Sequence, residues 1–177
     1  MRLTLSGNAK TVIDQLQLDS REYGLAVMRA LNRTADGLQT DASREIRKTY
    51  QIKAKDLTPA FRKEKATLQH LAAFVEARGR PLPLYDFAAR QNKTGVSVAI
   101  KKGNRKTLKH AFIARMPSGH VGVFMRNSGK RLPIEEKYTL SVPGMLTAQT
   151  IAGVLEGLVT DRFEKALEQN VRFLTRS

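Results

Sequence analysis

Tyr23, Val27, Leu31, Ala35, Leu38, Ala42, Ile46 and Tyr50 recur at steps of three or four residues, and this repeat constrains the fold more than any other feature of the chain. Such steps match a helical turn of ~3.6 residues, so these side chains line one side of a helix. Its span runs from about 20 to 50. Asp19 and Glu22 stand at the spacing of a capping box at its start. Arg29, Arg33, Asp36, Arg44 and Arg47 fall off the stripe and read as a solvated face. A long helix with one apolar side must bury it against a second layer, which the rest of the chain has to supply.

A second stripe follows Thr147, placed as a cap. Ile151, Val154, Leu155, Leu158, Phe163, Leu167, Val171 and Leu174 mark an amphipathic helix over about 147–175, with Arg172 and Arg176 in the last turn, where positive charge suits the helix dipole. Elsewhere the period shortens to two. "RLTLS" puts Leu3 and Leu5 on one face of a short strand, and 67–78 alternates through Leu71, Ala73, Val75 and Ala77, although Leu68, Leu71 and Val75 would also suit a helix. "GVSVAI" (95–100), "AFIAR" (111–115) and "HVGVFMR" (120–126) are rich in Val and Ile, and "MPSG" joins the last two as an antiparallel hairpin. "QIKAKDLTPAFRKEKAT" reads as a short helical turn with a basic solvated face.

Residues 131–146, "RLPIEEKYTLSVPGML", carry Pro133 and Pro143 where neither a central strand nor a helix interior fits, so this segment is expected to be an extended arm or packed loop. The fold class that results is α+β. A small antiparallel or mixed sheet, over about 67–126, packs on the long N-terminal helix and the C-terminal amphipathic helix, within one domain over 1–177. A compact fold of this length buries roughly 70% of its unfolded surface. With no Trp and 6% aromatic residues, its core has to come from Leu, Val, Ile, Ala and Phe.

No cysteine is present, which excludes disulfides and thiolate metal ligands. "MRLTLSGNAK" lacks an apolar signal core, and no later run approaches the ~20 apolar residues of a membrane span, so a soluble chain is expected. The formal charge is +15, and residues 51–110 hold 14 Lys and Arg against 4 Asp and Glu. That asymmetry points to a surface for phosphates or for an acidic protein, with plain solvation as the simpler alternative. Its densest part, "KKGNRKTLKH", places Lys101, Lys102, Arg105, Lys106 and Lys109 on a loop between two strands, where mobile cations neutralise phosphates without reading sequence. Aromatic residues for base stacking are not interleaved with them.

Tests for catalytic chemistry fail one after another. Gly122 and Gly129 lack the P-loop spacing, and Lys130 is followed by Arg131 instead of a hydroxyl residue. Ser118 has Met116 and His120 where a nucleophile elbow needs glycines, and reads as a turn residue. His70, His110 and His120 have no metal-ligand spacing. Glu135 and Glu136 are adjacent, not opposed, and Asp86 has no companion in the sequence. The expectation is a non-enzyme with no cofactor and no metal.

The order of "RALNRTA" (29–35), "GRPLPLYDFAARQ" (79–91), "GVSVAI", "AFIARMPSGHVGVFMR" (111–126) and "RLPIEEKYTLSVPGML", with a weaker match at "RFEKALEQNVRFL", resembles the phage and prophage minor tail protein Z family. Family members often carry Gly-Pro ahead of "SVP", where this chain has Thr139 and Leu140. The resemblance implies a structural protein of a long-tailed phage that completes the head-proximal end of the tail, where the head joins and DNA passes. It implies neck and tail partners such as a terminator, tube or connector protein, a homo-oligomer such as a hexameric ring, a place in the virion, and synthesis in the host bacterial cytoplasm. Subunit or tail contacts then fall on the arm, at Arg131, Leu132, Pro133, Ile134, Tyr138, Val142, Pro143 and Met145. Nonspecific DNA contact by the basic loop is compatible with this reading. The alternative is a free-standing nucleic-acid-binding protein that uses the basic region 51–110.

Overall fold

The computed structural model describes residues 2–5 and 20–174. Helix α1 runs over Ser20–Thr49. Its stripe is buried as its period requires: Val27, Leu31, Ala35, Leu38, Ala42, Ile46 and Tyr50 are all in the core, joined by Ala26 and Ala30. Tyr23 is only half-buried. Asp19, the proposed cap, lies outside the described residues, as does Arg176. Helix α4 spans Gln149–Leu174 and buries Ile151, Leu155, Ala166, Leu167 and Val171. Its first backbone bonds go to the Ala148 carbonyl, so the helix begins just after the expected Thr147.

The strands form three three-stranded antiparallel sheets instead of one. The first has the order β1-β3-β2, with β1 at Arg2–Leu5, β2 at Phe61–Glu64 and β3 at Ala73–Ala77. The expected alternation over 67–78 holds for Ala73, Val75 and Ala77, which are buried. The strand starts later than expected because Thr67 and His70 close a turn through reciprocal backbone bonds. The second sheet is β4-β5-β6, from Arg90–Asn92, Gly95–Lys101 and Asn104–Lys109. The third is β7-β8-β9, from Phe112–Arg115, Val121–Arg126 and Ile134–Glu136. The predicted β7–β8 hairpin is present, with Ile113 opposite Val123 and a turn closed by Met116 N–H to the His120 carbonyl at 2.7 Å.

The backbone divides into two compact units: β1, 20–42, 61–78 and 146–174 in one, and 43–60 with 79–145 in the other. In the first, Asn32 on α1 holds the chain after β2 by donating to the Ala66 carbonyl at 3.1 Å and accepting its N–H at 2.7 Å. Part of the supposedly solvated face of α1 is engaged here, since Asp36 pairs with Lys63 at 3.0 Å and Arg33 donates to Gln169 at 2.7 Å. Arg162 of α4 reaches the buried Asp41 of α1 and lies over Gly37, where a Cβ would meet its guanidinium carbon at 2.6 Å. The second unit is built around Leu84, Val96, Val98, Ala111 and Val123, with Ile100, Leu108, Ile113 and Met125 packed on them. No helix among the described residues is long and apolar enough to cross a membrane.

Candidate interaction surfaces

The basic segment is mostly a strand, not a loop. Only Lys102 and Gly103 form the turn, where Gly103 takes a φ of 76°; β6 then pairs back on β5 with Ser97 opposite Thr107 and Val98 opposite Lys106. The sequence hides this strand because its alternation is between polar residues. Leu108 alone packs on the core, and β6 is the open edge of its sheet. Lys101, Lys102, Lys106 and Lys109 are exposed. Arg105 differs from them: its Nη1 donates to the Ala88 carbonyl and to the Ser97 carbonyl and hydroxyl, each at 3.1 Å. It therefore braces the sheet as well as carrying charge.

Residues 131–146 depart from an extended arm. After a cis Leu132–Pro133 peptide, β9 pairs with β8, with Glu136 opposite Phe124 and Ile134 opposite Arg126. Backbone bonds continue past β9: Leu84 N–H donates to the Lys137 carbonyl at 3.0 Å, Thr139 N–H to the Leu82 carbonyl at 2.9 Å and Leu82 N–H to the Leu140 carbonyl at 3.3 Å. Helix α3 follows at Val142–Leu146. Pro143 is accommodated because it stands in the first turn, where an N–H has no intrahelical acceptor. The predicted contact residues separate accordingly. Val142 and Met145 are 1% and 0% exposed and belong to the core, whereas Leu132 and Tyr138 are 64% and 52% exposed. Arg131 and Pro133 are also exposed, and Ile134 and Pro143 are half-buried. Leu140, on the stretch paired with Leu82, and Tyr85, in the short turn Leu84–Asp86, are absent from the predicted set and also exposed. Their signal was the alternation of Tyr138 and Leu140.

Behind this stretch sits a polar cluster. His120 Nε2 lies 2.8 Å from Glu136 Oε1, and Tyr138 donates its hydroxyl to Glu136 Oε2 at 2.7 Å. The Tyr138 phenol pKa is raised, first by this bond to the carboxylate. Gly122 leaves the room, since a Cβ there would stand 2.5 Å from Glu136 Oε1. His120 is thus an edge residue that fastens β9 to β8. Glu136, adjacent in sequence to Glu135, turns toward the sheet while Glu135 pairs outward with Lys137 at 2.7 Å.

A cleft of about 360 Å³ in the same unit is lined by Lys53, Lys55, Asp56, Tyr85 and Asp86 among others. Asp86 does have a companion, thirty residues away in sequence. Its pKa is raised, chiefly by burial and then by the Asp56 carboxylate, while Lys55 and Lys53 oppose the shift and Glu136 adds to it. Among the described residues no group of three or more His, Asp or Glu converges as a metal site. His70 and His110 stand apart from these groups: His70 closes the Thr67 turn, and His110 has a φ of 62° at the end of β6.

The surfaces thus consist of an apolar strip on paired backbone and a basic sheet edge, an arrangement suited to docking. No curated protein and no solved structure matches the chain. The family model for Prophage minor tail protein Z (GPZ) matches residues 7–176 of the 177, so the chain belongs to the prophage minor tail protein Z family.

Proposed function

We propose that this protein completes the head-proximal end of a long-tailed phage tail, so that the tail can join the head and pass DNA. The observation that carries the reading, beside family membership, is the pair Tyr138 and Leu140, exposed on a backbone held by cross-strand bonds, with Tyr85 and Leu132 also exposed in the same unit. Large apolar side chains on rigid backbone bind a neighbour at a lower ordering cost than those on a mobile loop. Docking on a tubular tail calls for cyclic symmetry, so the copies form a ring, six in the simplest case, that meets a terminator, tube or connector protein. The protein is made in the host cytoplasm and carried in the virion. Membership over 7–176 favours this role over a free-standing nucleic-acid-binding protein.

The test is complementation of a phage lacking the gene. Tyr138→Ser with Leu140→Ser is expected to leave the isolated protein folded but to yield tails that do not join heads. Tails that form infectious particles with that variant, or with no protein at all, would sink the reading.

A further inference from the structure

Between Phe87 and Ile134 the chain carries eleven Lys and Arg and no Asp or Glu. This stretch folds into β4 to β8. Three of the eleven are engaged by the fold: Arg105 as described, Arg115 with the Gly119 carbonyl, and Arg126 over the Phe112 ring at 4.7 Å. Among the described residues none of the eleven forms an ion pair. Outside this stretch cations do meet carboxylates, as Lys63 with Asp36, Arg78 with Glu76, Lys137 with Glu135, Arg162 with Asp41 and Arg172 with Glu168.

Five of the remaining eight border the β5–β6 hairpin. Lys101 and Lys102 stand at one end of the β5–β6 hairpin, Lys106 lies along the open strand β6, and Lys109 marks the other end, opposite Gly95. Lys93 is exposed in the β4–β5 turn at that same end. At ~3.4 Å per residue such a rim extends for about 20 Å. We propose that this rim is a docking surface for the phosphate backbone of double-stranded nucleic acid, held by Lys93, Lys101, Lys102, Lys106 and Lys109 without sequence preference.

Three competing explanations fit less well. Lysines on an edge strand do block pairing with another strand, but that accounts for neither the turn lysines nor the missing carboxylates. A surface built for solubility mixes both signs. An acidic protein would need apolar anchors at the centre of the contact. The large hydrophobics that are exposed include Tyr85 and Leu132, and none lies within β4 to β8, between Arg90 and Arg126. A polar, strongly positive surface is the composition of a nucleic-acid interface. A duplex presents a negative charge every ~1.7 Å, so lysines at both ends of the hairpin and along its edge can each meet a phosphate.

The experiment is fluorescence anisotropy of the full chain with two unrelated duplexes across a salt series. Equal affinity for both is expected, with log K falling against log salt at a slope of about −4.5, about 0.9 for each of the five lysines. Replacing the five lysines by Gln should lower affinity more than about tenfold and remove most of the slope, about 0.9 per lysine. Lys→Arg at the same positions should retain both, and Arg29→Gln with Lys165→Gln should change neither. If the fivefold Gln variant does not fold, Lys101→Gln and Lys109→Gln singly should each flatten the slope by about one. Absence of binding at low salt, an unchanged slope in the Gln variants, or displacement of the duplex by polyglutamate at equal charge would each overturn the proposal. Head joining by tails carrying the Gln variant would leave the tail role standing, so the two ideas fail separately.

Discussion

At Gly95 one added carbon meets backbone with nowhere to go: a Cβ would lie 2.0 Å from the Leu108 carbonyl oxygen. Gly95→Ala must separate β5 from β6 where they pair, at an expected cost of about 3 kcal/mol, read by denaturant unfolding. A loss below about 0.5 kcal/mol, typical of surface substitutions, would show that the strands part easily. Asp86 offers a prediction in pH. Its folded pKa lies above the ordinary carboxylate value, so the folded chain holds that proton more tightly than the unfolded one. The stability it contributes is present below the unfolded pKa and is lost as pH rises through the folded pKa. Asp86→Asn should therefore raise the melting temperature at neutral pH, and the advantage should shrink as pH falls toward about 4. A difference in melting temperature that stays constant with pH would contradict this.

Among the elements, α1 and α4 are tied by a polar contact that sequence periodicity cannot reveal. Arg162→Ala removes a charge-assisted bond to the buried Asp41 and should cost about 2 kcal/mol in urea unfolding. Gly37→Ala displaces the same guanidinium but gains helix propensity worth about 1 kcal/mol, so its loss should be the smaller of the two. The reverse order would mean that the helix contact does not rest on this bond. The helices and the β7–β8 hairpin were legible because each buries a regular apolar face. Strands β2 and β6 were not: "FRKE" and "NRKTLK" are mostly exposed, so their strand character comes from partners, not from side-chain pattern. The polar cluster around Glu136 was hidden for a related reason, since the pairing of β8 with β9 brings His120 to a residue sixteen positions away. In 131–146 the two prolines argued against regular structure, yet both fit at the start of an element, just ahead of β9 and in the first turn of α3.

For the whole molecule, a charge of +15 sets a background repulsion that compactness increases. Melting temperature should therefore rise with ionic strength up to about 0.15 M, where the screening length is ~8 Å. A fall would mean that the ion pairs of the first unit outweigh the repulsion. The order of segments along the chain has a further consequence, for genetic exchange. The second unit is written in two pieces, 43–60 and 79–145, with residues 61–78 of the first unit between them. The pieces depend on each other: Gln51 N–H donates to the Ile100 carbonyl at 2.9 Å and Lys102 N–H to the Thr49 carbonyl at 2.9 Å. A crossover between 60 and 79 that imports the downstream segment from a diverged relative therefore brings strands without the helix end they bond to. Viable mosaics of this gene are expected to carry 43–60 and 79–145 from the same parent.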